Sequence, residues 1–231
     1  MKANTYFVAA LLPCIANAGD FTAESEIGST FTFGNTESQS VNFALDTRYR
    51  VGQMQFSLNP SWIRTKTAGE IVSERIDIAS QARYEFSKYN YTFVEPNWQR
   101  DRPNGLESQT SVVVGMGRYL GSSDSLTWEG ELGYGLQTET NVGADAVEDS
   151  IGYLALKGKS QLSDNIRLDF KVGSKLAEEN VETKAKFSAS VELGESMWLR
   201  VANTLKHNTN KVGFGGEKYD STLSLSLVQS W

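Results

Sequence analysis

The chain has 231 residues, a formal net charge of −6, one histidine and one cysteine. An acidic balance excludes a general affinity for nucleic acid or anionic surfaces, and a lone cysteine excludes an internal disulfide. Beyond residue 18 the longest weakly polar run is Val112 to Gly117, far short of the roughly 20 apolar residues a membrane helix needs, so only strands could cross a bilayer.

The chain opens with Lys2, an apolar stretch from Tyr6 to Ile15 and the small-x-small run Ala16-Asn17-Ala18. This is the layout of a cleavable export signal over residues 1–18, with the mature chain starting at Gly19. Cys14 is the candidate acylation site of a lipoprotein alternative, but Pro13 stands before it where a small residue is wanted. Cleavage before Gly19 removes the cysteine, and with it thiolate chemistry. No Pro- or Ser-rich linker follows, so residues 19–231 read as one domain.

From there apolar residues recur at every second position, the period of a strand with two unlike faces. Phe21, Ala23, Ile27, Phe31 and Phe33 alternate with Glu24, Glu26, Thr30 and Thr32. Val41, Phe43, Leu45, Tyr49 and Val51 alternate with Asn42, Asp46, Arg48 and Arg50, and Met54, Phe56, Leu58 and Trp62 continue the pattern. Ile76, Ile78, Ala82, Tyr84 and Phe86 stand opposite Asp77, Gln81, Arg83 and Glu85. Between Tyr89 and Asp101 the aromatic parity changes from Tyr91 and Phe93 to Trp98, which predicts a bulge near Glu95 and Pro96. Both faces of Val112 to Leu120 are nearly apolar, so no parity is assigned there.

The alternation resumes with Leu126, Trp128, Leu132, Tyr134 and Leu136 against Glu129, Glu131 and Gln137. Ile166, Leu168, Phe170, Val172 and Leu176 then oppose Arg167, Asp169, Lys171 and Lys175, and two further strands carry Ala185 to Leu193 and Met197 to Leu205. The runs amount to about 12 strands of membrane-crossing length, an even count that returns both termini to one side. Short connections at Val51-Gly52, Lys88-Tyr89, Gly121 to Ser125, Asp164-Asn165 and Gly194-Glu195 alternate with longer ones at Gly34 to Gln39, Lys66 to Ser73, Arg100 to Gly105, Thr138 to Asp149, Ala177 to Val181 and Asn208 to Lys218. Short periplasmic turns and longer outer loops are the habit of an outer-membrane barrel.

A periplasmic β-sandwich would show the same alternation. Alternating connection lengths favour the membrane, as do aromatics near strand ends: Phe33, Trp62, Trp98 and Tyr134 toward the long loops, and Tyr49, Tyr84, Phe86, Tyr89 and Trp128 toward the short turns. The last strand adds Tyr219, Ser221, Leu223, Leu225, Leu227, Gln229 and Trp231 on one face. Leu223, Leu225, Leu227 and Trp231 resemble the C-terminal signal by which barrel-assembly machinery recognises its clients, with Trp in place of the commoner Phe. The expectation is an all-β, single transmembrane antiparallel up-and-down barrel of the Gram-negative outer membrane, with periplasmic termini.

The stretches Glu26-Ile27-Gly28 leading to Gly34-Asn35-Thr36, Tyr91 to Phe93 leading to Arg100-Asp101-Arg102 and Gly105-Leu106, Val114-Gly115-Met116-Gly117, and Glu131-Leu132-Gly133-Tyr134-Gly135 occur in order along the chain. Together they resemble the YdiY-like family of salt-induced outer-membrane proteins, whose defining domain has no assigned biochemical function. With the barrel layout, the resemblance covers nearly all of residues 19–231. Individually the motifs are unspecific, since Gly-Asn-Thr hairpins are widespread.

A barrel of this strand number lies between small ones filled by side chains and open porins, so its inward residues decide its function. Late strands contribute Lys157, Lys159, Arg167, Lys171, Lys175, Lys184, Lys186, Arg200 and Lys206, and early and middle strands contribute Glu24, Glu26, Asp77, Glu85, Glu129 and Glu131. One wall is expected to be basic and the other to lean acidic. Such walls either make a narrow passive channel for small or anionic solutes, through a transverse field or a basic strip that guides an anion such as an acidic sugar, or bridge one another and close the lumen of a structural, osmotic-stress envelope protein. The parity of the strand holding Lys157 rests on Leu154 and Leu156 alone.

For catalysis the single His207, beside Asn208 and Thr209, is the only candidate base, and no serine motif accompanies it. The acids Glu139, Asp145, Glu148 and Asp149 match no calcium loop, and no glycine loop precedes a helix to cradle phosphate. No enzyme activity and no cofactor or metal are expected. The expected partners are outer-membrane lipid, lipopolysaccharide and the assembly machinery.

Overall fold

The computed structural model describes residues 19–32, 38–67, 69–123, 125–178, 180–210 and 219–231. The expected leader, Cys14, Phe33, the Gly34-Asn35-Thr36 tip and residues 211–218 of the last long connection lie outside them. The elements are β1 (Asp20–Thr32), β2 (Ser38–Val51), β3 (Met54–Thr67), β4 (Glu70–Glu85), β5 (Asn90–Asp101), a 3-10 turn (Arg102–Asn104), β6 (Leu106–Ser122), β7 (Leu126–Asn141), β8 (Ala146–Ser163), β9 (Ile166–Leu176), β10 (Val181–Gly194), β11 (Met197–Asn208) and β12 (Tyr219–Ser230).

Every strand pairs antiparallel with its neighbours in sequence, and β12 closes onto β1 from Glu24↔Ser230 to Ser29↔Leu225. Closure carries the hydrogen-bond ladder around the whole ring and leaves no edge strand, the condition for crossing hydrocarbon with strands. The fold is thus the expected twelve-stranded up-and-down barrel. Its outer face carries the apolar parity: Ile27, Leu132 and Leu136 are each 64% exposed, and Phe43, Phe56, Leu58, Tyr84, Phe187, Val201, Leu225 and Leu227 also lie open. A continuous apolar exterior of this extent is a lipid-facing surface rather than a face covered by a soluble core. Trp128, Phe170 and Phe187 form an outward row, their successive ring centroids 5.7 and 4.8 Å apart.

Two expectations about local structure are corrected. No bulge occurs at Glu95 and Pro96: the β4–β5 ladder keeps one register from Ile76↔Arg100 to Glu85↔Tyr91, and is only interrupted opposite Pro96, which has no N–H to donate. Tyr91 and Phe93 therefore share the inward face with Gln99 and Asp101, and it is these aromatics that break the expected parity. The register shifts that do occur lie toward strand ends, at Thr65/Lys66, Gln99/Asp101 and Glu192/Gly194 among others, where bulges re-aim the rim of a barrel.

Two long connections also shrink. β3 runs to Thr67 and β4 starts at Glu70, while β7 reaches Asn141 and pairs with β8 through Gln137↔Asp149 to Thr140↔Ala146. Beyond the lipid a ladder needs no apolar side chain, because hydrogen bonding alone maintains it, so polar runs that read as loops are strand extensions. Within Val112 to Leu120 the structure assigns Val112, Val114, Met116 and Leu120 to the outside, and Val113, Gly115, Gly117 and Tyr119 to the lumen.

Candidate functional site: the charged lumen

The pleat sends alternate side chains inward, and closure decides which of them meet. All nine bases expected on the late wall sit on the inward parity of four adjacent strands: Lys157 and Lys159 on β8, Arg167, Lys171 and Lys175 on β9, Lys184 and Lys186 on β10, and Arg200 and Lys206 on β11. The parity of β8 is as Leu154 and Leu156 indicated, both being exposed outside.

The acids do not form an opposing wall, because each is already engaged. Glu24 on β1 accepts from Arg167 and Arg200 at 2.9 Å each, and Glu26 accepts from Arg200 at 3.0 Å. Glu85 pairs with Arg50 at 3.0 Å, and Glu129 with Arg83 at 3.0 Å. Asp77 accepts from Asn97 at 2.9 Å and lies 3.9 Å from Lys184. The inward bases Arg48, Arg50, Arg75 and Arg83 of β2 and β4 were missing from the expected walls, as were Asp46, Asp169 and Glu182. The two-sided charge pattern is corrected to a compensated network. Most of these residues were legible in the alternation; what the sequence lacked was a reason to pair them.

One side of the lumen is filled. Tyr91, Phe93, Val113, Ile151 and Tyr153 form a buried cluster on β5, β6 and β8. On one neighbouring strand each of them faces a glycine: Tyr91↔Gly117, Phe93↔Gly115, Val113 and Ile151↔Gly135, and Tyr153↔Gly133. A barrel interior takes large side chains where the opposing positions are small, which explains the two glycine-rich stretches.

Below this cluster Glu131, whose side chain is fully buried, is the acceptor hub. It accepts from Lys157 at 2.7 Å, Tyr91 at 3.0 Å, Gln81 at 3.2 Å, Tyr153 at 3.3 Å and Arg83 at 3.4 Å. The Arg83 guanidinium lies 3.9 Å from the centroid of the Tyr91 ring and also donates to Tyr119 and Gln81. A carboxylate taken from water needs this number of donors.

Toward the rim carrying the longer connections, side chains span the bore. β10 and β4 are six strands apart in either direction around the ring, yet Lys184 comes within 3.9 Å of Asp77. Lys175 on β9 donates to Ser111 on β6 at 2.9 Å, while along the wall Glu182 holds Lys206 of the adjacent strand at 2.8 Å and Lys184 of its own strand at 3.4 Å.

Toward the termini lies a cavity of about 570 Å³ whose lining holds seven Lys or Arg side chains and five carboxylates. All five carboxylates are engaged, Asp46 by Arg48 at 3.2 Å and Asp169 by Lys159 and Arg167 at 3.9 Å. The excess of two positive charges is Lys171 and Lys186. They are direct register partners, Lys171 is also the partner of Lys157, and among the described residues neither has a carboxylate at ion-pair distance. Like charges facing each other on neighbouring strands cost up to about 1 kcal/mol, so folding alone does not account for this row.

His207 faces outward, its ring centroid 4.4 Å from that of Tyr219, and no serine among the described residues hydrogen-bonds its ring. Of the loop acids, Glu139 is held by Gln109 and Asn141. No group of three or more His, Cys, Asp or Glu among the described residues is placed to hold a metal ion. In the C-terminal strand Leu223, Leu225, Leu227 and Trp231 all face outward, and the Trp231 N–H donates to the Ala23 carbonyl at 2.9 Å across the closing seam.

The same barrel recurs in solved structures. The NanC porin matches with a TM-score of 0.56 at 6% identity, covering 90% of this chain and 98% of its own. The translocator domain of autotransporter NalP from Neisseria meningitidis matches with a TM-score of 0.51 at 16% identity, covering 95% and 90%. At such identities the likeness is one of fold: an outer-membrane type of β-barrel. In sequence the chain is 24% identical over 197 residues to the uncharacterized protein YdiY of Escherichia coli (strain K12), covering 85% of this chain and 78% of that protein. The family model described as "Protein of unknown function, DUF481" matches residues 25–231, from within the first strand to the tryptophan at 231, and the chain belongs to that family.

Proposed function

We propose that the barrel sits in the outer membrane of a Gram-negative envelope, with its termini and short turns in the periplasm, and works as a narrow passive channel for small anionic solutes. The observation that carries this reading is the pair Lys171 and Lys186, two ammonium groups without carboxylate partners among the described residues, facing a cavity whose five carboxylates are all engaged by other bases. A low-dielectric wall focuses their field into the bore and raises the local concentration of anions. The bridged region above the cavity is the constriction that keeps the channel narrow. In this reading lipid and lipopolysaccharide cover the apolar band, the assembly machinery reads the terminal strand, and the barrel performs no chemical step.

Single-channel recording in planar bilayers tests it. Small ohmic steps with a preference for chloride over potassium are expected, and Lys171→Glu or Lys186→Glu should reduce or reverse that preference. A second reading, a closed envelope barrel without conductance, is favoured by the diametric Lys184 to Asp77 approach at 3.9 Å. Silence from correctly folded protein would remove the channel in its favour.

A further inference from the structure

The wall opposite the lysine pair has its own character. Counting around the ring, β3 stands six strands from β9 in both directions, so it faces Lys171 directly across the bore. Where β3 lines the cavity it presents Pro60 and the uncharged hydrogen-bonding side chains Gln55, Ser57, Asn59 and Ser61. Gln55 accepts from Arg50. Ser57, Asn59 and Ser61 make no side-chain hydrogen bond among the described residues; of the other uncharged polar side chains in the lining, Gln81 and Tyr119 are engaged, while Thr127 and Ser188 are free like the β3 strip. Neither are they sealed off, since none is among the buried side chains that lack a partner.

Two uncommitted cations thus face three uncommitted hydroxyl or amide groups across one space of about 570 Å³, a volume within the range of small-molecule sites. An inorganic anion would use only the lysine side. An aliphatic or aryl carboxylate would strip water from Ser57, Asn59 and Ser61 without replacing its hydrogen bonds, which is unfavourable. A ligand that satisfies both walls has a negative charge at one end and hydroxyl groups at the other.

Resting on the anion-pathway reading, we propose that this cavity binds a polyhydroxylated carboxylate of one or two sugar units, a sugar acid. Its carboxylate lies at Lys171 and Lys186, and its hydroxyls lie along Ser57, Asn59 and Ser61. The lysines supply attraction and the β3 strip supplies discrimination. A site built to hydrogen-bond hydroxyls rejects a ligand that lacks them more strongly than an apolar pocket rejects a missing methylene.

The test is calorimetric titration of the folded, detergent-solubilised barrel with sodium glucuronate, sodium propionate and glucose. Glucuronate should bind at least tenfold more tightly than either of the others. Lys171→Gln with Lys186→Gln should bring glucuronate down to the level of glucose, and Ser57→Ala with Asn59→Ala and Ser61→Ala should bring it down to that of propionate. Each variant is scored only if it keeps the heat-dependent gel mobility of a closed barrel. Equal binding of glucuronate and propionate to the unaltered protein overturns the proposal while leaving an anion channel intact. Glucuronate binding without any bilayer current keeps the site and removes the channel.

Discussion

Gly117 on β6 and Tyr91 on β5 share one place in the lumen: they are register partners, and a methyl group added to Gly117 would fall within the Tyr91 ring. The glycine exists for its absent side chain, which lets the ring settle against the wall with its hydroxyl donating to Glu129 at 2.7 Å and to Glu131 at 3.0 Å. Gly117→Ala should therefore destabilise the barrel by about 1–3 kcal/mol, the usual cost of overpacking. Gly121→Ala, on the same strand but with open space at the added carbon, should stay within about 0.5 kcal/mol of the unaltered protein. Urea unfolding in lipid vesicles, followed by tryptophan fluorescence, checks both, and equal effects would deny that the ring needs the glycine.

Removing the hub should cost more than removing a spoke. Glu131→Ala leaves Lys157 without its 2.7 Å partner and Arg83 with Glu129 alone, and breaking a buried pair from one side costs about 3–5 kcal/mol. Glu85→Ala breaks the bridge to Arg50 and the bond from Tyr119, but it leaves an Arg50 side chain that is 45% exposed and can turn to water, and should cost about 1–2 kcal/mol. The same unfolding measurement ranks the two, and a smaller loss at Glu131 would contradict its place in the network.

The Lys171 and Lys186 row predicts a gain rather than a loss of stability. Lys186→Gln removes a like charge opposite Lys171 and should leave stability unchanged or raise it by up to about 1 kcal/mol, while lowering the preference for anions in bilayer recordings. A substitution that destabilised the barrel would show these lysines to be structural.

If the bridge between Lys184 and Asp77 forms the constriction, cutting it should widen the bore. The pair is long and only partly buried, so Lys184→Ala with Asp77→Ala should cost less than about 1 kcal/mol and raise single-channel conductance twofold or more. Unchanged conductance in the double variant would place the narrowest point elsewhere.

At the closing seam Trp231 contributes backbone hydrogen bonds to Ala23 and an indole that is 75% exposed on the outside. Trp231→Ala should keep the seam and its in vitro stability within about 0.5 kcal/mol, yet lower the yield of folded barrel in the cell envelope. Comparing refolded yield in detergent with membrane yield separates recognition from stability, and parallel losses in both would make the side chain a structural one.

Period-two alternation made most of the barrel readable. It placed Phe43, Phe56, Leu132 and Leu225 outside and Lys171, Lys186, Glu131 and Arg83 inside, because the pleat that sorts faces is a property of each residue and its neighbours. It failed at Tyr91 and Phe93, where large apolar side chains belong to the lumen, and at Thr138 to Asp149, where polar residues continue a strand above the lipid. In the first case the signal was present in Gly115, Gly117, Gly133 and Gly135, but matching a glycine with its ring requires the register between strands.

The sequence by itself thus determined the strand number, the lipid-facing band and most of the charges that point inward. Only the tertiary structure decided which charges meet, because closure and stagger bring Arg167 to Glu24 and Lys184 to Asp77 from distant strands. Pairing across a bore depends on the geometry of the whole ring, which no local period encodes. For the same reason only the closed barrel reveals that Lys171 and Lys186 are left over, facing the uncharged strip of β3.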